Sequence, residues 1–217
     1  MNKEKSICAK GAVVTFRRGD GMIYIVFYSR YGNTLMLAEA IKEGVEGAGG
    51  EASLRRVRET APEAVIEKDQ RWKATLEKMN DISEANIDEL SDAEALVIGS
   101  PTRFGNMAAP LKEFIDLTGG LWVKGALSGK AGAVFGTNST MHGGKESTLL
   151  SMMIPLLHHG MVIVGIPPTE AEVATHGSYY GATATTGFMS EDRPTKEDLK
   201  LAKSLGRRIC EISRKLS

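Results

Sequence analysis

From Met22 to Thr34 the chain reads M-I-Y-I-V-F-Y-S-R-Y-G-N-T, an apolar run that stops abruptly in a polar, glycine-containing turn. Ile23, Ile25 and Phe27 would lie on one face of a strand, and Tyr24, Val26 and Tyr28 on the other. With neither side polar, such a strand must be covered on both faces. It therefore predicts a central parallel strand between layers of helices. The helix expected after the turn has apolar spacing at Leu37, Ala38, Ile41 and Val45, and Gly47, Gly49 and Gly50 end it.

The turn Ser29-Arg30-Tyr31-Gly32-Asn33-Thr34 has the chemistry of a phosphate loop. A phosphate dianion needs converging N–H donors and partial positive charge, which the unpaired first turn of a helix supplies. Ser29, Asn33 and Thr34 add side-chain donors, and Gly32 lets the backbone approach closely or take a positive φ. The loop has no lysine, which favours a monophosphate held by neutral donors, as in a flavin mononucleotide, over a triphosphate with a Walker lysine. Taken alone, the stretch reads more readily as an ordinary strand-to-helix turn.

The same pattern recurs. Ala95 to Ser100 reads as a buried strand followed by the loop Pro101 to Asn106 and a helix with Leu111, Phe114, Ile115 and Leu117. Ala131 to Phe135 is followed by a loop from Gly136 to Gly144 and a helix ending near His158-His159-Gly160. Ala52 to Val57 and Met161 to Val164 read as the remaining strands, and a last amphipathic helix opens at Thr195. Thr60-Ala61-Pro62-Glu63 has the spacing of a capping box, and residues 60–90 read as an insertion of helical fragments in which Trp72 serves packing or an intersubunit contact. The expected fold is a doubly wound, five-stranded parallel α/β sheet in three layers. Such sheets bind ligands at the carboxyl ends of their strands, where all three polar loops fall. That convergence favours a flavin-sized site over three unrelated turns.

Lys plus Arg and Asp plus Glu are equal at 27 each, and no basic stripe is present, so nucleic acid and anionic membrane are not expected partners. Cys8 and Cys210 are far apart without a C-x-x-C pattern, which fits a reducing, cytoplasmic setting. No metal-ligand spacing, G-x-G-x-x-G or G-x-S-x-G occurs, and Gly125 to Lys130 is one residue short of a Walker motif. Residues 1–21 read as a flexible N-terminal extension too short in apolar run for a membrane span, and 22–217 as the domain.

With Ser29 to Thr34, P-T-R-F-G-N at 101–106, T-G-G-L-W at 118–122, the loop from Ser139 to Glu146, H-H-G-M at 158–161 and Y-G-A-T at 180–183 in order, the chain resembles the flavodoxin-like WrbA family of FMN-dependent NAD(P)H:quinone oxidoreductases. The resemblance implies strand order 2-1-3-4-5, non-covalent FMN, NADH or NADPH as co-substrate, a quinone substrate, and a homotetramer. It implies that Ser29, Arg30, Tyr31, Gly32, Asn33 and Thr34 hold the FMN phosphate, with Tyr31 also touching the nicotinamide nucleotide. Thr102, Arg103 and Phe104 would lie against the isoalloxazine. Thr137, Asn138, Ser139, Thr140, Met141, His142 and Gly143 would form the other flavin segment. His158 corresponds to a flavin-contacting histidine, and Trp122 to the aromatic that covers the quinone. No side-chain nucleophile is implied. On residue type alone Trp122 could be core, Phe104 a loop anchor and His158 a helix-end histidine, and Pro155 departs from an undisturbed last helical turn. A one-electron flavodoxin carrier and an NAD(P)H-dependent FMN reductase are the alternative functions.

Overall fold

The computed structural model describes residues 21–170, 173 and 179–217; all but the last residue of the expected N-terminal extension 1–21 lies outside them. The elements in order are β1 (Met22–Phe27), α1 (Asn33–Gly47), β2 (Glu51–Arg56), α2 (Glu63–Ile66), α3 (Gln70–Lys78), α4 (Ile87–Leu90) and β3 (Ala95–Pro101). They continue with α5 (Ala109–Asp116), α6 (Gly119–Lys124), β4 (Ala131–Asn138), α7 (Lys145–His158), β5 (Val162–Ile163), β6 (Ala182–Thr185) and α8 (Lys196–Leu216). The parallel sheet has the order β2-β1-β3-β4-β5, with β6 also on β4.

β1 is the strand the sequence demanded. Ile23, Ile25 and Phe27 join one buried cluster with Leu37, Ile41 and Val45 of α1 and Leu201, Leu205 and Ile209 of α8. Val26 and Tyr28 join the opposite cluster with Leu111 and Phe114 of α5 and Leu149, Met152 and Leu156 of α7. Ile23, Ile25, Val26 and Phe27 are each at most 1% exposed, so each contributes about 1.5–3 kcal/mol of burial. α1 and α8 cross very closely. A Cβ on Gly44 would stand 2.0 Å from the Lys203 carbonyl oxygen, and one on Gly206 would stand 2.0 Å from that of Ile41. Arg214 then closes the end of α1 by donating to the Ala48 carbonyl at 2.8 Å.

The structure refines the expectations at three places. The fifth sheet position is not one strand over 161–164. Val162 and Ile163 pair with Ala131 and Gly132, and after an excursion Ala182–Thr185 return to pair with Phe135–Asn138. Ala182–Thr185 is thus a sixth strand that the sequence reading did not include. Thr60 does not cap α2, which begins at Glu63 with Pro62 as its N-cap and no side-chain cap. The capping box is at the other end of the chain, where Thr195 and Asp198 exchange bonds of 3.1 and 2.8 Å. Of the two roles expected for Trp72, packing or an intersubunit contact, its burial at 4% selects packing. Among the described residues no helix is long and apolar enough to cross a membrane.

Candidate active site

Three loops leave the carboxyl ends of β1, β3 and β4 and are tied to one another by short polar contacts. Thr34 Oγ1, in the first turn of α1, lies 3.0 Å from Thr137 Oγ1 near the end of β4. The Thr102 N–H donates to the Thr137 carbonyl at 2.7 Å, and Thr148 Oγ1 donates to Thr102 Oγ1 at 3.1 Å. The rim is thus one hydrogen-bonded surface, although its parts come from widely separated sequence.

The first loop gathers the donors that an anion would need. Gly32, at φ +86°, is the N-cap of α1 and no side chain caps the helix; a Cβ there would be strained. The N–H groups of Asn33 and Thr34 fall in the first turn, where a helix offers them no acceptor. Ser29, Asn33 and Thr34 are all buried, and Ser29 Oγ accepts from the Leu35 N–H at 3.3 Å. Arg193 holds the loop from outside, donating from Nη1 to the Tyr31 carbonyl at 2.8 Å and to Asn33 Oδ1 at 3.0 Å. With its oxygen so occupied, the Asn33 amide keeps its NH₂ as a free donor.

Arg30 packs against α3 and lines a cavity with Arg103 and Phe104 of the second loop. Its guanidinium stacks on Trp72 at 3.9 Å and lies 3.4 Å from Asp69, while its Nε is buried without a partner. The Tyr31 hydroxyl donates to Asp69 at 2.8 Å. Burial, then this bond, raises the Tyr31 pKa. Burial pulls the Asp69 pKa upward, but hydrogen bonds from Tyr31, the Trp72 N–H and Arg30 outweigh it, and the net shift is downward.

The second loop is a tight turn in which Arg103 and Asn106 exchange backbone bonds of 2.8 and 3.0 Å. Phe104 sits at its tip at φ +52° with its side chain fully exposed. A bulky residue held in the left-handed region and deprived of apolar contact is costly twice over, which marks it as a group waiting for a ligand or a neighbouring chain. Arg103 is not extended beside it; it folds back onto the Thr102 carbonyl at 2.9 Å, and burial lowers its pKa.

The third loop begins later than expected, because β4 runs on to Asn138 and places Thr137 and Asn138 in the sheet. Ser139 and Gly143 are half-buried, whereas Thr140, Met141 and His142 are exposed. The Asn138 amide donates to the Thr140 carbonyl, while Asn138 Oδ1 and, on the adjoining β6, Thr183 Oγ1 are buried with no partner. Two unsatisfied polar atoms at one rim are what a polar cofactor would relieve.

His158 and Trp122 are elsewhere. α7 leaves the rim at Lys145 and runs 14 residues, about 21 Å at helical rise. It delivers His158 beside β5, which pairs with the amino end of β4. Trp122 joins His158 there, its Nε1 donating to the His158 carbonyl at 3.0 Å. The last helical turn tolerates Pro155, whose carbonyl still accepts the His159 N–H at 3.0 Å. The structure therefore assembles every assigned loop residue at one rim and leaves these two at the opposite rim of the same subunit. Between the rims, α5 and α7 border a groove of about 480 Å³ that runs from Asn106 to Trp122 and His158. Leu117, Trp122, Val123, Leu150, Ile154 and Leu157 stand exposed on α5, α6 and α7 or between them.

The model of the NADPH-dependent FMN reductase family matches residues 28–169, from the end of β1 through β5. The chain belongs to this family. A protein of Archaeoglobus fulgidus named NAD(P)H dehydrogenase (quinone) is 47% identical over 89% of this chain and 98% of its own length. One of the same name from Geotalea daltonii is 46% identical over 89% and 97%. Among solved structures, a WrbA-like flavodoxin protein from Agrobacterium tumefaciens superposes with a TM-score of 0.64 at 20% identity, covering 91% of this chain and all of that one. An archaeal flavodoxin gives 0.58 at 24% identity over 88% and 98%. At those identities the structures establish the flavodoxin-like fold.

This FMN reductase family member also has a polar cluster beside the rim that local sequence did not announce. Tyr28 and Trp72 both donate to Glu59 Oε2 at 3.0 Å, and Glu59 Oε1 accepts the N–H groups of Thr60 and Ala61 at 2.9 Å each. Burial, then the Glu59 carboxylate, pushes the Tyr28 pKa up. Arg193 is the other omission. Its contacts span 160 residues or more, and no local spacing could have found them.

Proposed function

We propose that this protein reduces quinones to hydroquinones by two electrons, with NADH or NADPH as donor, on a non-covalently held FMN. The observation that carries the proposal is one rim where a free helix N-terminus, buried hydroxyls and two unpaired buried polar atoms converge, supported by the names of the relatives at 46–47% identity. FMN, once bound, would supply the hydride chemistry. The chain's part is to bind, orient and exclude water. Ser29, Asn33 and Thr34 take the phosphate; Thr102, Thr137, Asn138 and the loop to Gly143 line the flavin; Phe104 offers an apolar wall to flat substrates.

Trp122 and His158 fit this reading only if they serve another subunit. A rim about 21 Å away cannot be their own, and the exposed apolar residues around them provide a surface on which a neighbour would close the cavity. The assembly we propose is a cytoplasmic homotetramer with shared sites. Donor and acceptor occupying one face in turn would give ping-pong kinetics.

Purified protein should be yellow and release FMN on denaturation. Light scattering over a dilution series, assayed in parallel, should show quinone turnover falling as the assembly dissociates and before FMN is lost. A colourless protein that takes up no FMN would refute the cofactor. A fully active monomer would refute the shared site alone. Single-electron transfer to a protein acceptor with negligible quinone turnover would favour the carrier alternative.

A further inference from the structure

On the outer side of the first loop, one face of α3 presents Arg71, Ala74, Thr75 and Lys78 toward Tyr31 and Gly32, with Arg193 completing the wall. The spacing of three, four and seven residues from Arg71 puts all four α3 residues on one stripe of the helix. They enclose a cavity of about 430 Å³ together with Met36. The Arg71 guanidinium lies over the Tyr31 ring, 4.6 Å from its centre. It donates to the carbonyls of Met189 and Ser190, while Arg193 donates to the Tyr31 carbonyl and Asn33 Oδ1. These acceptors are neutral, so the bonds fix the guanidinium groups without cancelling their charge.

The nearby carboxylates are engaged elsewhere. Asp69 receives Tyr31 and Arg30, and Glu191 receives the Met189 N–H. Among the described residues no acidic side chain forms an ion pair with Arg71, Lys78 or Arg193. Three cations therefore face one concavity without counter-charge, on the far side of a tyrosine from the buried donors of the phosphate loop. A dianion is the ligand such a site selects.

We infer that this cluster binds the 2′-phosphate of NADPH, with Arg71 and Lys78 as the residues that set preference for NADPH over NADH. The inference rests on the quinone-reductase reading and deepens it by naming the donor. The FMN phosphate is a poor rival for the same place, because the α1 N–H groups, Ser29, Asn33 and Thr34 are buried on the inner side of the loop. The adenosine half of a dinucleotide that passes Tyr31 would end beside the cations, and the 2′-phosphate is the one group that distinguishes the two donors there.

The FMN-loaded protein is titrated calorimetrically with adenosine 2′,5′-bisphosphate and with 5′-AMP, and flavin reduction is followed with NADPH and NADH. The wild type should bind the bisphosphate at least about tenfold more tightly, the scale of one charge-assisted contact. Lys78→Gln and Arg71→Gln should each lower that advantage, and the NADPH-to-NADH ratio of kcat/KM, by about tenfold. Raised salt should shrink the wild-type advantage toward that of the variants. Equal binding of the two adenosine probes by the wild type, or equal losses for NADPH and NADH in the variants, would overturn the inference; the latter outcome would assign the cations to the shared pyrophosphate. If neither nucleotide reduces the flavin, the quinone-reductase reading fails, and the two adenosine probes still decide the cluster.

Discussion

Replacing Gly44 by alanine tests the α1–α8 crossing against the ordinary rule for helices. In an open helix interior this change stabilises by about 0.5–1 kcal/mol, because alanine leaves fewer unfolded conformations to lose. At Gly44 the new Cβ would meet the Lys203 carbonyl oxygen at 2.0 Å, its carbon at 2.8 Å and the Lys203 Cα at 2.9 Å. Backbone cannot swing aside as a side-chain end can, so the helices must part by about 1 Å. Overpacking of this kind costs about 1–3 kcal/mol, and a gap of that size forfeits a quarter to a half of the dispersion well for contacts along the seam. We expect a net loss of about 2–3 kcal/mol and a fall in Tm of about 4–12 °C for a chain of this size. Gly47, in the same helix, meets nothing within 4 Å, and Gly47→Ala should raise stability by about 0.5–1 kcal/mol. Calorimetry and urea titration of both variants check the pair. If Gly44→Ala is as stable as the wild type, or the two substitutions shift Tm in the same direction, the close-crossing argument is wrong.

Phe104→Gly should relieve the strained φ and raise stability by about 0.5–1 kcal/mol while lowering kcat/KM for quinones; a variant with unimpaired turnover would reduce Phe104 to a loop anchor. Thr137→Val should leave the buried Thr34 hydroxyl without its 3.0 Å partner, costing about 1–3 kcal/mol and weakening FMN retention, which fluorescence of released flavin would measure. His159 donates to or accepts from Thr118 Oγ1 at 2.8 Å, and burial, then the neighbouring His158, lowers its pKa below the ordinary 6.5. The folded state thus takes up its proton less readily than the unfolded state. Its contribution is fully present above 6.5 and is lost as the pH falls from there through the lowered value. Urea midpoints from pH 8 to 5 should show this slope, and His159→Gln should flatten it.

The sheet was legible where burial left no choice. β1 is apolar on both faces and Ala95 to Ser100 has no charged residue, so their places in the middle of the order followed from composition along a strand. β6 was not, because Ala182–Thr185 is only four residues long and its Ala and Thr differ too little in polarity to mark a buried face. The first turn was legible as a turn, because Gly32 and the polar residues around it break an apolar strand and the helix that follows begins at Asn33. Residue types could not say at which rim His158 and Trp122 would emerge. That depends on α7 running the full height of the sheet. The cation cluster was illegible for a related reason: Arg71 and Lys78 read as a solvated helix face until Arg193, more than a hundred residues on, is folded against the same loop.

The fifth sheet position is filled in two instalments, Val162–Ile163 along the start of β4 and Ala182–Thr185 along its end. At the point of return Gly181 comes so near the strand that a Cβ would stand 2.0 Å from the Val134 carbonyl oxygen. Both seams are pinned by backbone pairing of their own, and the described part of the chain that joins them is tied back to the body. Val164, Ile166 and Val173 are buried in the core with α1 and α8, the Ile166 N–H donates to the Tyr179 carbonyl at 3.0 Å, and Glu170 pairs with Arg207 of α8 at 2.6 Å. The crossover is therefore a clasp: it fastens the edge of the sheet to the last helix, so a substitution at Ile166 or Glu170 reaches both at once.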